Sequence, residues 1–230
     1  MEQKPVAFFD IDGTLFRSSL LIELVDELSL VGLFPREAVL EYAGAHQAWL
    51  TRSGTYDEYI AAVIATFMTH IAGISYGEFA TVGHRVVLEK GGRVYRFTRD
   101  YIKQLKKQGY TVIAISQSPK IILDDFCEEF GFDKVYGRMY EVDDTDCFTG
   151  RVIDEHLIQN KASIVDRVLQ RHSELTIEHS VAVGDTDGDI SLLESVAKPI
   201  CFNPNQALLN HAQQQGWPVV VERKDVVYEL

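Results

Sequence analysis

Four aspartates are the side chains best suited to chemistry in this chain, because they follow short apolar segments in pairs. Asp10 and Asp12 end the apolar segment that begins at Val6, and Asp185 and Asp189 follow a second such segment. A buried, unpaired carboxylate is costly, so such groups usually have a charged partner or lie at a functional rim. The pattern therefore indicates a site, and its partners should lie elsewhere in the chain.

Two candidate partners have suitable positions in the sequence. Ser116 ends a third apolar segment, and Lys161 follows Asn160 at the predicted start of a helix. Because the carboxyl ends of parallel strands share one edge of a sheet, these side chains can meet the aspartates in one crevice. Crowded carboxylates repel one another unless a cation lies among them, and hard oxygen ligands favour Mg²⁺.

This set of groups predicts phosphoryl chemistry. The lysine, the serine hydroxyl and the N–H groups of loops and helix N-termini would form a phosphate cradle. One carboxylate can attack phosphorus to form an aspartyl-phosphate, and a second, two residues away, can act as general acid and then as general base. We expect hydrolysis of a phosphomonoester in two steps. Transfer of the phosphoryl group to an alcohol acceptor stays open as an alternative, because the same residues would serve both reactions.

The elements that would position these residues alternate between strands and helices. Apolar, β-branched runs predict strands at 6–9, 110–116, 180–185, 199–202 and 218–221. Helical patterns are predicted at 99–108, 119–130, 160–172, 189–197 and 206–215. This alternation is typical of an α/β protein with a doubly wound parallel sheet.

One block interrupts the alternation directly behind Asp12. From about residue 17 to residue 90 the apolar residues recur at helical spacing, and Pro35, Gly54 and Gly73 punctuate the pattern. We predict a cap of three or four helices at 17–91, inserted into a core formed by 1–16 and 92–230. An insert at this place belongs near the carboxyl edge of the sheet and is interpreted as a lid.

Composition excludes several classes of function. The 230 residues are 46% hydrophobic and 24% charged, with a net charge of −12, which argues against nucleic acid and anionic membranes as partners. Three cysteines in no CxxC pair indicate reduced thiols. No apolar run approaches the ~20 residues of a membrane span. We expect a soluble, cytoplasmic protein acting on a small phosphorylated metabolite; the sequence does not indicate an oligomeric state.

Two acidic stretches have other interpretations. Counted from Asp185, the sixth and twelfth positions are Ile190 and Val196, where a calcium-binding EF-hand loop needs Gly and Glu, so a calcium loop is not expected. The second stretch, at 141–146, lies between strand-like pieces and is predicted to be a solvated hairpin loop.

The ordered motifs resemble those of the haloacid dehalogenase superfamily of phosphohydrolases. DIDGTL at 10–15 is similar to the first motif, Ser116 to the second, Lys161 to the third and GDTDGD at 184–189 to the fourth. The helical insert resembles the cap of the phosphoserine-phosphatase-like branch, subfamily IB, and the similarity covers essentially the whole chain. It implies a Rossmann-like core beneath the cap.

The resemblance also implies roles for the acidic residues. Asp10 would be the nucleophile and a Mg²⁺ ligand, and Asp12 the general acid/base, with its backbone carbonyl on the metal. Asp185 would bind Mg²⁺ directly, and Asp189 would do so through water or as support. The second aspartate of the first motif argues against dehalogenation.

Phosphate binding is implied for three further residues. Ser116 and Lys161 would hold the transferring phosphoryl group, and Gln117 beside Ser116 is a further candidate. Lys161 would also restrain the charge of Asp10.

Two positions depart from the phosphoserine phosphatases. Where those enzymes carry the Glu that binds the substrate's amino group, this chain has Ser19, and their Asn in the fourth motif is replaced by Gly188. Both changes predict that phosphoserine is a poor substrate.

Arg17 is the best candidate for a substrate contact at the start of the cap. The cap aromatics are expected to form its own core: Tyr42, Trp49, Tyr56, Tyr59, Phe67, Tyr76 and Phe79. The cap histidines are expected to be packed or at the surface: His46, His70 and His84.

Two other classes are less consistent with the motifs. A phospho-acceptor signalling domain also uses acidic residues, a hydroxyl, a lysine and Mg²⁺, but Asp12 and the long insert count against it. A binding module with an inactive site is disfavoured because no motif residue is missing.

Overall fold

The computed structural model describes residues 3–154 and 160–230. It divides the chain into two compact units. The first, here called the sheet unit, comprises Met1–Ser18, Arg93–Arg138 and Asp154–Leu230. The second, the helical unit, comprises Ser19–Gly92 and Met139–Ile153.

The described strands are, in chain order, β1 (Lys4–Phe9), β2 (Thr111–Pro119), β3 (Lys134–Val142), β4 (Phe148–Ile153), β5 (Leu175–Gly184), β6 (Lys198–Phe202), β7 (Val219–Arg223) and β8 (Val226–Glu229). In the sheet unit they lie in the order β3-β2-β1-β5-β6-β7-β8. All neighbours pair in parallel except β7 and β8, which are antiparallel. The predicted α/β fold with a mostly parallel sheet is confirmed.

The central strand β1 is apolar because both of its faces are covered. Phe8 pairs with Ile113 of β2 on one side and with Ala182 of β5 on the other. Its side chain lies in a core cluster with residues of the helices that follow β5 and β6. Phe9 faces the opposite side, where its ring contacts Tyr101 and Phe132. Continuous apolar strands of this kind are typical of parallel sheets buried on both faces.

The described helices of the sheet unit are α5 (Arg96–Lys107), α6 (Lys120–Glu129), α7 (Lys161–Arg171), α8 (Ile190–Glu194) and α9 (Gln206–Gln215). The Asn160 side chain caps α7 by accepting from the Ala162 N–H, and Asn205 caps α9 in the same way from Leu208. The sequence predicted all five, but placed the start of α5 three residues late and the end of α8 three residues late. The segment before α7 lies partly outside the described residues.

The helical unit contains α1 (Leu20–Val31), α2 (Ala38–Leu50), α3 (Tyr56–His70) and α4 (Tyr76–Lys90). The inserted segment is therefore helical as predicted. Thr55 and Glu58 form a reciprocal capping box at α3. Gly32 ends α1 at φ +83°, a conformation that favours glycine.

Most cap aromatics are placed as the sequence predicted. Tyr42, Tyr59, Phe67 and Phe79 are buried within the unit. Tyr76 differs, because it is 42% exposed although its ring contacts the hairpin described next. Two of the histidines are packed, as expected: the His46 ring stacks on Tyr59, and that of His70 contacts Glu41 at 2.8 Å.

A β-hairpin completes the helical unit. The end of β3 pairs antiparallel with β4, and Phe148 at the start of β4 is buried against the rings of Phe79 and Tyr140. The Phe148 N–H donates to the Ile74 carbonyl and its carbonyl accepts from the Gly73 N–H. Residues 143–146 of the acidic stretch lie in the turn of this hairpin, as predicted, while Glu141 and Val142 end β3. Nothing in the sequence had indicated that this hairpin joins the inserted helices.

In the described parts of the chain, no helix combines the length and the apolar character that crossing a bilayer requires.

Candidate active site

The carboxyl edge of the sheet collects the residues that the sequence singled out. β1 ends directly before Asp10, and β5 ends directly before Asp185. Ser116 lies near the carboxyl end of β2, and Lys161 is the first residue of α7. Because β2, β1 and β5 are adjacent and parallel, these positions meet at one edge.

Lys161 lies at the centre of the acidic group. Its side chain is 6% exposed, and its Nζ donates to Asp10 Oδ1 at 2.6 Å and to Asp189 Oδ1 at 2.5 Å. A buried ammonium is tolerated when it is paired and hydrogen-bonded. This lysine therefore fixes one oxygen of each of two carboxylates.

Asp189 is held on both of its oxygens. It ends a short 3₁₀ turn, Asp187–Asp189, and its Oδ2 accepts from the N–H groups of Asp185 at 3.0 Å and Thr186 at 3.1 Å. Gly184 makes this approach possible, because a Cβ at that position would lie 2.5 Å from Asp189 Cβ. With Lys161 on Oδ1, both oxygens of Asp189 are hydrogen-bonded.

Asp185 contacts the loop that follows β1. Thr14 Oγ1 donates to Asp185 Oδ1 at 3.2 Å. Gly13, at φ +83°, brings this loop so close that a Cβ there would lie 2.1 Å from Asp185 Oδ2. Glycine is therefore required at this position for space as well as for backbone conformation.

The acidic group offers ligand atoms for a cation. One carboxylate oxygen from each of Asp10, Asp185 and Asp189 lies within 4.8 Å of the other two. Asp10 Oδ2 is buried and has no hydrogen-bond partner among residues 3–154 and 160–230. An all-oxygen set of hard donors suits Mg²⁺ better than a transition metal.

Electrostatics point in the same direction. Burial raises the pKa of Asp10 to about 7; Lys161 opposes this rise, and the charges of Asp189 and Asp12 add to it. Burial and the charges of Asp10 and Asp189 likewise raise the pKa of Asp185. Burial alone would lower the pKa of Lys161, but attraction to Asp10 and Asp189 raises it. Lys161 thus faces two buried carboxylates and one half-buried carboxylate, which favours an additional cation.

Asp12 belongs to a neighbouring group of hydroxyls. Its Oδ2 accepts from Ser116 Oγ at 2.6 Å and from Ser118 Oγ at 2.8 Å. The Ser118 N–H donates back to Ser116 Oγ at 3.0 Å. The charge of Asp12 also raises the pKa of Asp10, so the cluster of Asp12, Ser116 and Ser118 lies next to the acidic group.

The sequence-predicted residues therefore fall into three places. Asp10, Asp185, Asp189 and Lys161 form one group, and Asp12 and Ser116 form the second. Gln117 lies outside both, because its side chain is exposed and its Oε1 accepts from Arg138 Nη2 at 3.2 Å. Arg17 is exposed, with its guanidinium 5.5 Å from the centre of the Tyr95 ring.

Three residues that contact the predicted site residues were not singled out from the sequence. Thr14 and Ser118 lie inside quoted motifs, DGT and SQSP, so their hydroxyls could have been named as candidates. Arg138 lies on β3, and no motif marked it.

An open, mostly parallel sheet with this acidic group at its carboxyl edge is the architecture of a Rossmann-like enzyme. Residues 7–194 match the family described as haloacid dehalogenase-like hydrolase. Since the match covers most of the chain, the protein belongs to this family. The predicted resemblance and the predicted enzyme class, a phosphatase-type hydrolase, are confirmed.

Named relatives agree with this assignment. The chain is 26% identical over 222 residues to an "inhibition of morphological differentiation protein" from Streptomyces azureus, covering 94% of this chain and 78% of that protein. It is 26% identical over 216 residues to a phosphoserine phosphatase from Mycobacterium tuberculosis, covering 93% and 69%.

Solved structures share the fold. A protein of unknown function from Bordetella pertussis aligns with a TM-score of 0.74 at 21% identity, over 94% of this chain and 98% of that chain. A phosphoserine phosphatase with a phospho-aspartyl intermediate analogue aligns with a TM-score of 0.62 at 21% identity, over 98% and 96%.

Proposed function

We propose that this protein is a Mg²⁺-dependent phosphatase that hydrolyses a small phosphomonoester through an aspartyl-phosphate. One observation carries the proposal. Asp10 has one oxygen hydrogen-bonded to Lys161, and its other oxygen is buried with no hydrogen-bond partner among the described residues. Carboxylate oxygens of Asp10, Asp185 and Asp189 lie within 4.8 Å of one another. A carboxylate held in this way is oriented for attack and leaves one oxygen available to a cation.

The residues present fit a magnesium ion. Asp10 and Asp185 would hold it, with the Asp12 carbonyl as a third ligand, while Asp189 would support the site because both of its oxygens are already hydrogen-bonded. When bound, the metal would neutralise the carboxylates and the phosphoryl oxygens.

The first step is phosphoryl transfer to Asp10. Its carboxylate oxygen forms a bond to phosphorus while the bond between phosphorus and the leaving oxygen breaks, and Asp12 gives a proton to that oxygen. The charge of Lys161 stabilises the transferring group. The Ser116 hydroxyl donates to Asp12, so it can donate to the phosphoryl group only after this hydrogen bond breaks. Phosphate binding is therefore coupled to loss of the hydrogen bond between Ser116 and Asp12.

The second step regenerates the enzyme. Asp12, now ionised, takes a proton from water as the water oxygen attacks phosphorus. The bond between phosphorus and the Asp10 oxygen breaks, which releases phosphate and restores the Asp10 carboxylate and the protonated Asp12.

Relatives named phosphoserine phosphatase favour a small phosphorylated substrate. We expect the reaction to take place in the cytoplasm. Phosphoserine itself is proposed to be a poor one, because Ser19 and Gly188 replace the residues that the resemblance assigns to those enzymes. Phosphotransfer to an alcohol is the alternative outcome of the same intermediate, and product analysis with added alcohols separates the two.

The test is to trap the intermediate. Wild type, Asp10→Asn and a surface control, Asp166→Asn, are mixed with acetyl phosphate and MgCl₂, quenched in acid and mapped by mass spectrometry. We expect one added phosphoryl group on the peptide containing Asp10 in wild type and control, and none in Asp10→Asn. A phosphorylated peptide elsewhere, or turnover by Asp10→Asn within about tenfold of wild type, would contradict the proposal.

A further inference from the structure

Arg138 is a buried cation that the proposed mechanism does not use. It is only 8% exposed. Its Nη2 donates to the neutral Gln117 side chain at 3.2 Å, and its Nε is buried with no partner in the described parts of the chain. Arginine is almost never buried unless it is paired, because an uncompensated buried charge is costly. Since no described residue compensates this charge, a bound anion would complete the site.

The position of Arg138 connects it to the phosphoryl site. In the β2–β3 register Arg138 lies opposite Pro119, at the carboxyl edge of the sheet. Gln117, which accepts its hydrogen bond, lies between Ser116 and Ser118, whose hydroxyls both donate to Asp12. The guanidinium therefore contacts the side chain of the residue that separates these two serines in β2.

The preceding residue fixes the backbone of this strand. A Cβ at Gly137 would lie 2.7 Å from Lys120 Cα, so β3 lies tightly against the start of α6. Such contact leaves the backbone at Arg138 little freedom, so the point at which this side chain leaves the strand is held in place.

Charge considerations define the ligand. The chain carries a net charge of −12, and Lys161 is already shared by Asp10 and Asp189. The guanidinium is planar and presents its donors as a fork, which matches the two oxygens of a carboxylate or a phosphate. A neutral or cationic group would leave the buried charge uncompensated.

We propose that Arg138 and Gln117 form a second anion subsite, which binds a carboxylate or a further phosphate on the part of the substrate that is not transferred. The substrate class is thereby narrowed to phosphomonoesters with a second anionic group. This inference rests on the proposed phosphatase function.

Matched substrate pairs test the subsite. 3-Phosphoglycerate and glycerol 3-phosphate differ in a carboxylate, and fructose 1,6-bisphosphate and fructose 1-phosphate differ in a phosphate. The measurement is the ratio of kcat/KM within each pair, for wild type, Arg138→Met and the exposed control Arg171→Met. We expect Arg138→Met to reduce the ratio about ten- to a hundredfold in one pair, which identifies the anion, and Arg171→Met to leave both ratios unchanged. Equal losses on both members of each pair would overturn the proposal.

Two further measurements keep the subsite testable. If circular dichroism shows that Arg138→Met does not fold, Gln117→Leu replaces it. The Gln117 side chain is exposed, and its loss removes the hydrogen bond that holds the Arg138 guanidinium. An unchanged kcat/KM ratio in both substrate pairs then overturns the proposal. Binding of the four esters is also measured by calorimetry in the Asp10→Asn background, with and without Arg138→Met. A loss of affinity of about tenfold or more, confined to esters with the second anion, supports the subsite even if no ester is hydrolysed. Absence of hydrolysis by folded wild type would contradict the phosphatase proposal alone.

Discussion

Lys161 is shared by two buried carboxylates, and this sharing makes it a structural as well as a chemical residue. Lys161→Met should destabilise the protein by about 3–5 kcal/mol in metal-free buffer, because it leaves Asp10 and Asp189 buried without their counter-charge. Urea unfolding measures the change. Lys107→Met, at an exposed position on α5, is the control and should stay within about 0.5 kcal/mol of wild type. A loss under about 1 kcal/mol for Lys161→Met would mean that the pairing contributes little.

Asp10 makes stability depend on pH. Its pKa is about 7 in the folded protein and about 3.9 for an unfolded aspartate. Between these values the folded state holds more protons than the unfolded state, so the free energy of unfolding falls as pH rises from about 4 to about 7.

The measurement is guanidinium unfolding at pH 5 and pH 8 in EDTA. Asp10→Asn removes this titration, so the variant should lose less stability than wild type over the same interval. An identical loss in both proteins would show that Asp10 does not titrate in this range. Saturating Mg²⁺ should flatten the wild-type profile, because it favours the ionised carboxylate.

At this scale the sequence predicted the acidic group but not the contacts that depend on tertiary packing. Asp10, Asp185, Asp189 and Lys161 could be predicted because each follows a recognisable strand or starts a helix. The pairing of Ser116 with Asp12 could not, because it depends on hydroxyl orientations in the loop after β2. Arg138 could not, because it lies on β3 outside the recognised motifs, and its burial depends on tertiary packing.

The turn after β5 depends on a close approach between backbone and carboxylate. Gly184→Ala would place a methyl group 2.5 Å from Asp189 Cβ. The clash should destabilise the protein by about 1–3 kcal/mol and displace Asp189 from Lys161, with a large loss of phosphatase activity. Thermal unfolding and turnover are the measurements.

A matched control exists in the same turn. A Cβ at Gly188 would have its nearest contact at 3.4 Å, with Thr186 Oγ1. Gly188→Ala should therefore change stability by less than about 0.5 kcal/mol. Equal losses for the two variants would mean that general stiffening of the turn, and not the clash with Asp189, is responsible.

Secondary structure elements were predicted where local pattern determines them. The apolar runs of β1, β2 and β5 and the capped start of α7 are local signals, and all are present in the fold. The placement of the hairpin depends on aromatic contacts between Phe148 and Phe79, which are 69 residues apart by their numbers. A contact between residues so far apart produces no hydrophobic periodicity, so it cannot be predicted from a single sequence.

For the whole molecule, metal binding and folding should be linked. A ligand that binds only the folded state stabilises it by mass action, by about 2.7 kcal/mol at a hundredfold excess over its Kd. MgCl₂ should therefore raise the thermal midpoint of EDTA-treated wild type and of Asp166→Asn. Asp185→Asn should show a much smaller rise. Equal rises in all three proteins would place the bound metal away from the acidic group.

The strand order also determines when β1 gains both of its neighbouring strands during synthesis. β1 is made first, yet its two neighbours are β2 and β5, and β5 ends at Gly184. At the usual ribosomal speed its second edge stays open for roughly 10–35 s after it emerges. Through that interval a strand of consecutive apolar residues presents unpaired N–H and C=O groups to other chains. A nascent or truncated chain that ends before β5 is therefore expected to bind chaperones. The yield of folded protein should increase with the concentration of chaperones in the cell.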